Sequence, residues 1–300
     1  MSRLDLSALT TESRNPRTAE LDAMTTLDLV RAMNDEDHTV ADAVRAALPA
    51  IAAAVDAVAT HMRKGGRLVY CGAGTSGRLG MLDAAECAPT FSAAPDQVQA
   101  LLAGGPRAFQ RAVEGVEDDP AVGAADIEAL NVGPKDVVVG IAASGRTPYV
   151  LGALRRAAAE GAMTVAVTCN PDSPLAEIAQ VPIAVVTGPE AVTGSTRLKA
   201  GTATKMVLNM LSTGAFVRLN KTYGNLMVDL QATNEKLRAR SLNIVTTATG
   251  CDRDAAERAL ADCDGEVKTA IVVLKKHVDP AQARTLLFHH VGSVRSALGA

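Results

Sequence analysis

Two short segments of this 300-residue chain are built from residue types that hold anions. The first is Gly72-Ala73-Gly74-Thr75-Ser76-Gly77-Arg78 and the second is Ala143-Ser144-Gly145-Arg146-Thr147-Pro148. Each follows an aliphatic run and opens a predicted helix. Glycine lets a backbone approach a ligand closely. Hydroxyls and the free amides of a first helical turn donate hydrogen bonds, and the helix dipole favours negative charge. A single Ser-Gly loop is often only a tight turn. Two at neighbouring strand ends form a pocket for a phosphate and a polyol, with Gly74, Thr75, Ser76 and Gly77 facing Ser144, Gly145, Arg146 and Thr147.

A third polar cluster, Thr193-Gly194-Ser195-Thr196-Arg197-Leu198-Lys199, starts a long predicted helix. Ser195, Thr196 and Lys199 are either anion contacts or, for the hydroxyls, simple caps. Among the carboxylates, Asp83 suits the start of its helix, and periodicity alone does not single out Glu117. Glu86 lies among small and apolar residues on the helix launched by the first loop, a setting expected to raise its pKa. Glu117, three residues after Glu114, is predicted near the C-terminus of a helix preceding Pro120, where the dipole disfavours a negative charge. The competing reading of either residue is a solvated surface group, and Asp118 and Asp119 strengthen it for Glu117.

Gly72, Gly74 and Gly77 also satisfy G-x-G-x-x-G. No acidic residue closes a second short strand about 20 residues on, so a nicotinamide enzyme is a minor option. The Gly-Lys-Ser/Thr ending of nucleotide-triphosphate loops is absent. The five cysteines form no CxxC pair, and neither they nor His289 and His290 have metal-ligand spacing, so no metal site is expected from them.

These residues need a frame. Aliphatic runs at 67–71, 98–103, 137–142, 164–169 and 181–187 alternate with helical segments at 79–88, 106–118, 148–160 and 174–178. Continuous apolar strands alternating with helices predict a parallel sheet covered on both faces. In the flavodoxin-like order 2-1-3-4-5 the ligand crevice lies between strands one and three, the two that precede the Ser-Gly loops. Helical signals at 18–33 lead into a stripe of Val40, Val44, Leu48, Ile51, Val55, Val58 and Met62, in which Pro49 must kink the helix or start a second one. Another helix is predicted over 194–218. Beyond 237 there is no strand pattern: Gly250 stops one helix, Asp252 caps the next and Asp279-Pro280 starts another. The expected fold is an α/β, flavodoxin-like five-stranded parallel sheet flanked by helices, with a small C-terminal helical bundle. The expected domains are an N-terminal helical segment at 1–50, a phosphosugar-binding domain at 51–235 and the bundle at 236–300.

Composition narrows the function. Lys and Arg total 30 against 33 Asp and Glu, and aromatics are 2% of residues, so a nucleic-acid partner is not expected. No apolar run reaches the ~18 residues of a membrane span. The N-terminus is polar, and an odd, scattered set of cysteines fits reduced thiols in a cytoplasm.

Several motifs, in order, resemble the N-acetylmuramic acid 6-phosphate etherases. They are Gly72 through Gly80, Leu82-Asp83-Ala84-Ala85-Glu86-Cys87, Ala112 through Asp118, Gly140 through Tyr149, Val192 through Thr202, and Gly224-Asn225-Leu226-Met227-Val228-Asp229. The resemblance runs from about Thr11 to the last helix. It implies a sugar isomerase (SIS) domain, no cofactor, a homodimer, and cleavage of the D-lactyl ether of N-acetylmuramic acid 6-phosphate to N-acetylglucosamine 6-phosphate and D-lactate in cell-wall sugar recycling. It also implies that Glu86 and Glu117 are catalytic. The expected route is elimination followed by water addition. Glu86 would protonate the departing lactate and then activate water, and Glu117 would serve ring opening or C2 deprotonation. An aldose–ketose phosphosugar isomerase and a non-catalytic sugar-phosphate-sensing SIS regulator are the alternatives on the same fold.

Overall fold

The computed structural model describes residues 10–111, 113, 115–230 and 234–299. They fall into two compact units, Met1–Ala85 with Asp96–Ser212, and Glu86–Pro95 with Thr213–Ala300.

The first unit is built on five parallel strands, β1 (Leu68–Gly72), β2 (Val98–Leu102), β3 (Val137–Ile141), β4 (Met163–Thr168) and β5 (Val181–Ala184), in the order β2-β1-β3-β4-β5. This is the expected 2-1-3-4-5 order. β1 and β3 are wholly buried, because helices cover both faces and every side chain must be apolar or small. Register pairs Gly72 with Ile141, so the chain leaves β1 and β3 side by side. A crevice therefore opens where the strand order reverses.

The helical stripe at 40–62 is two helices, α1 (Thr26–Ala46) and α2 (Leu48–Arg63), with Pro49 in the first turn of α2. Val40, Val44, Ile51, Val58 and Met62 are buried, whereas Leu48, at the break, is exposed because the helical phase slips there. Among the described residues no single helix is long and apolar enough to cross a membrane. The helix expected over 106–118 is a correction. Only α4 (Arg107–Gln110) is helical, Arg111 is extended, Gly115 has a left-handed φ of 75°, and Ala112 and Glu114 lie outside the described residues. A helix not foreseen, α5 (Pro120–Ala129), begins where the sequence suggested an ending: Asp119 accepts from the Ala121 N–H and Pro120 occupies the first turn. α5 packs tightly on α6 (Pro148–Ala159) through two glycines. A Cβ at Gly123 would lie 2.0 Å from the Tyr149 carbonyl oxygen, and one at Gly152 would lie 1.9 Å from that of Pro120.

α7 (Pro174–Ile178) follows β4 as predicted. In the second unit a two-stranded hairpin, β6 (Thr222–Tyr223) and β7 (Leu226–Met227), precedes α9 (Glu235–Thr249), α10 (Arg253–Asp262), α11 (Val267–Lys276), α12 (Pro280–His289) and the short α13 (Val294–Ala297). The predicted signals are in place: Gly250 ends α9 at φ 78°, Asp252 caps α10, and Asp279 forms a capping box with Gln282. The helices close on a core that includes Val245, Ile271 and Val272.

Candidate functional site

The first loop is a strand running directly into a helix, α3 (Gly74–Phe91). Two of its three glycines answer to packing. A Cβ at Gly72 would lie 2.7 Å from the Gly77 nitrogen, and one at Gly77 would lie 2.5 Å from the Gly72 oxygen. The third, Gly74, has a φ of 53° and open space around it, which leaves the first turn of α3 accessible. Thr75 and Ser76 are half-buried in that turn. Both hydroxyls are carried by the first turn, at the positive end of the helix dipole.

The second loop is more rigid. Three donors hold the Ala143 carbonyl: the Cys169 N–H at 2.9 Å, Asn170 Nδ2 at 2.9 Å and Thr168 Oγ1 at 3.2 Å. Gly145, at φ 66°, is obligatory, since a Cβ would sit 2.2 Å from Ser173 Oγ. Ser144 Oγ accepts the Arg146 N–H at 3.2 Å, which aims the hydroxyl while leaving its hydrogen to donate. Thr147 is the N-cap residue of α6 but makes no side-chain cap, so its hydroxyl is spare. Arg146 Nε is buried with no hydrogen-bond partner.

The third cluster departs from expectation. The long helix, α8 (Lys199–Arg218), begins at Lys199 rather than at 194. Its terminal amides are taken by the chain's own carboxylate: Glu190 accepts the N–H groups of Lys199 and Ala200, each at 2.9 Å. Glu190 is fully buried. Burial pushes its carboxyl up, against the downward pull of those amides and of the Lys199 charge. Lys199 itself is corrected as an anion contact. Its ammonium is 2% exposed and bonds Glu36 Oε2 at 2.6 Å, while Arg17 Nε meets Glu36 Oε1 at 2.6 Å. Ser195 and Thr196 are half-buried. Thr75 of the first loop comes near this cluster: its Cγ2 and the Thr196 carbonyl oxygen both lie 3.6 Å from a Cβ built on Gly201.

The two glutamates are placed differently. Glu117 is in the loop before α5, so the dipole argument for it is overturned: the nearest helix end is an N-terminus. Its carbonyl accepts the Tyr149 N–H at 3.0 Å, which pins it to the first turn of α6, beside Thr147. Tyr149 is itself buried and donates its hydroxyl to Asp126 Oδ2 at 2.6 Å. Glu86 is exposed rather than enclosed by apolar neighbours. It stands twelve residues after Gly74 on α3.

The polar N-terminal segment lies across the strand ends. Thr10 donates to Asn170 Oδ1 through its N–H at 3.2 Å and its hydroxyl at 3.3 Å. Asn15 Nδ2 reaches the Pro189 carbonyl at 3.4 Å, and Thr18 Oγ1 the Ala191 carbonyl at 2.8 Å. Between these anchors Glu12 Oε2 comes within 3.0 Å of a Cβ built on Gly194. Nothing in the local sequence signals this, because each partner is more than 150 positions away. Among the described residues no group of three His, Cys, Asp or Glu side chains converges as a metal site.

Residues 50–158 match the glucokinase regulatory protein N-terminal SIS domain, and residues 117–214 match the SIS domain. A protein of Photorhabdus laumondii named N-acetylmuramic acid 6-phosphate etherase is 53% identical over 298 residues, covering 99% of each chain. One of the same name from Yersinia pestis is 57% identical over 295 residues, covering 98% of this chain and 100% of that one. Among solved structures, a phosphoheptose isomerase from Francisella tularensis superposes with a TM-score of 0.50 at 18% identity, over 65% of this chain and 100% of that one; this likeness is one of fold.

Proposed function

The chain belongs to the N-acetylmuramic acid 6-phosphate etherase family, and on that premise we propose how its strand-end loops and two glutamates do the work. The protein is an enzyme that cleaves the D-lactyl ether of N-acetylmuramic acid 6-phosphate. The isomerase and sensor alternatives are not favoured by these relatives.

The ether at C3 resists direct displacement, but the open-chain sugar offers another route. Its C1 carbonyl acidifies the C2 proton. A base removes that proton, lactate leaves C3 with a proton from an acid, and water adds to the double bond formed. Positioned carboxyl groups can fill both roles. Thr75, Ser76, Ser144 and Thr147 hold the phosphate and sugar hydroxyls, with Ser195 and Thr196 closing the same crevice. The phosphate is remote from the breaking bond, so its binding energy serves to orient the sugar. Glu117, tethered to the first turn of α6, takes the C2 proton. Glu86 protonates the departing lactate and then activates water.

The working unit is a homodimer, as the family resemblance implies, and the exposed Glu86 of a second copy reaches the sugar. Five free cysteines fit a reducing cytoplasm as the place of action.

The observation that carries the reading is the side-by-side exit of the two hydroxyl-lined loops from β1 and β3. The test is incubation with N-acetylmuramic acid 6-phosphate in H₂¹⁸O. D-lactate should appear, with label at C3 of the sugar product. Label in lactate would mean displacement at the lactyl carbon, and no lactate would end the proposal.

A further inference from the structure

The elimination starts only from the aldehyde, whereas the resting substrate is a ring hemiacetal. With Glu117 at C2 and Glu86 at the lactyl oxygen, ring opening is left without a proton acceptor. We propose that Glu12 is a third carboxylate of the site and takes the anomeric proton when the sugar ring opens. This rests on the etherase reading above.

Position is the first argument. Thr10 hangs from Asn170, whose amide also fixes the Ala143 carbonyl next to Ser144. Asn15 and Thr18 are tied to the carbonyls of Pro189 and Ala191, which lead into the Ser195 loop. Glu12 is thus suspended between the second and third clusters, at the carboxyl ends of the strands. Gly194, at φ 73°, leaves the room its carboxylate enters; a Cβ there would stand 3.0 Å from Oε2.

Unmet polarity is the second argument. Glu12 is half-buried, and among the described residues no hydrogen bond or ion pair to it is present. The neighbouring Thr11 hydroxyl is wholly buried and unpartnered. Leaving the half-buried carboxylate unpaired costs free energy that a hydroxylated ligand would recover. A segment held at both ends with its one carboxylate unpaired fits a group that meets a ligand.

The step balances. The O1–H proton passes to Glu12, the C1–O5 bond breaks with its electron pair on O5, and C1 becomes the carbonyl. O5 takes a proton from water, and the hydroxide left recovers the proton from Glu12.

Glu12→Gln keeps the size of the side chain and removes the base. It is expected to slow lactate release about 100-fold or more. Exchange of the C2 hydrogen of N-acetylglucosamine 6-phosphate in D₂O should fall by the same factor, since exchange also needs the open chain. Sodium formate should partly restore Glu12→Ala. Wild-type rates in Glu12→Gln, C2 exchange surviving the loss of lactate release, or no rescue by formate would each overturn the proposal. These arms are distinct from failure of the functional reading, in which the unaltered enzyme releases no D-lactate.

Discussion

The backbone N–H of Tyr149 donates to the carbonyl of Glu117 at 3.0 Å, joining residues 32 positions apart in the chain at one helix end. That bond, rather than any helix of its own, sets where Glu117 stands. The loop it belongs to continues into Pro120, which packs against Gly152.

Gly152→Ala should therefore act on catalysis from a distance. The new methyl would overlap the Pro120 carbonyl, so α5 and α6 must part. Overpacking of this kind costs about 3 kcal/mol. We expect a lower urea midpoint together with a fall in kcat, because Glu117 moves with Pro120. A fall in stability with kcat intact would show that Glu117 is not held this way.

Subunit mixing tests the origin of Glu86. Glu86→Gln and Glu117→Gln are each expected to be inactive. If a site combines Glu117 of one copy with Glu86 of the other, refolding an equal mixture restores one site in half the dimers, roughly a quarter of full activity. A mixture as inactive as its components would place both glutamates in a single chain's site.

Lys199 should behave as a buried partner of Glu36 and not as a phosphate ligand. Lys199→Met leaves Glu36 buried, with the largely exposed Arg17 as its remaining cation among the described residues, at a cost of about 3 kcal/mol. Adding Glu36→Gln should return part of that stability, giving a favourable coupling in a double-mutant cycle read by urea unfolding. Unchanged stability with a raised KM would restore Lys199 to the anion site.

Acid should loosen the floor of the sheet. Asp136 is buried, which alone would raise its carboxyl, but the Arg67 guanidinium at 2.7 Å and the N–H groups of Gly133 and Arg67 outweigh that and hold it below its ordinary 3.8. A carboxyl lowered in the folded state stabilises above its unfolded pKa and loses that contribution as pH falls through the folded value. Stability should thus decline from about pH 4 downward, and Asp136→Asn should be weaker at neutral pH with a shallower acid dependence. Urea midpoints measured from pH 3 to pH 7 check both.

Local chemistry was legible in the sequence. The aliphatic runs became β1 to β5 in the expected order, because a sheet buried on both faces permits only such runs. Gly250, Asp252 and Asp279 ended or began helices as their backbone and capping preferences require. The two Ser-Gly loops were legible for the same reason: a strand that turns directly into a helix needs glycine and short polar residues close together in the chain. Asp119-Pro120 shows the limit, since a start signal next to an acidic run was read as an end.

Folding settles which of the polar groups already have partners. Lys199 and the amides of α8 resemble an anion site in sequence, yet Glu36 and Glu190, 163 and 9 positions before Lys199, already meet them. Glu12 reads as one polar residue in a polar stretch, and only the packing of its strap against Asn170, Pro189 and Ala191 places it over Gly194. Backbone propensity and caps act within a few residues, so sequence reports them directly. Charge pairing acts through space, so it is settled only when distant segments are brought together.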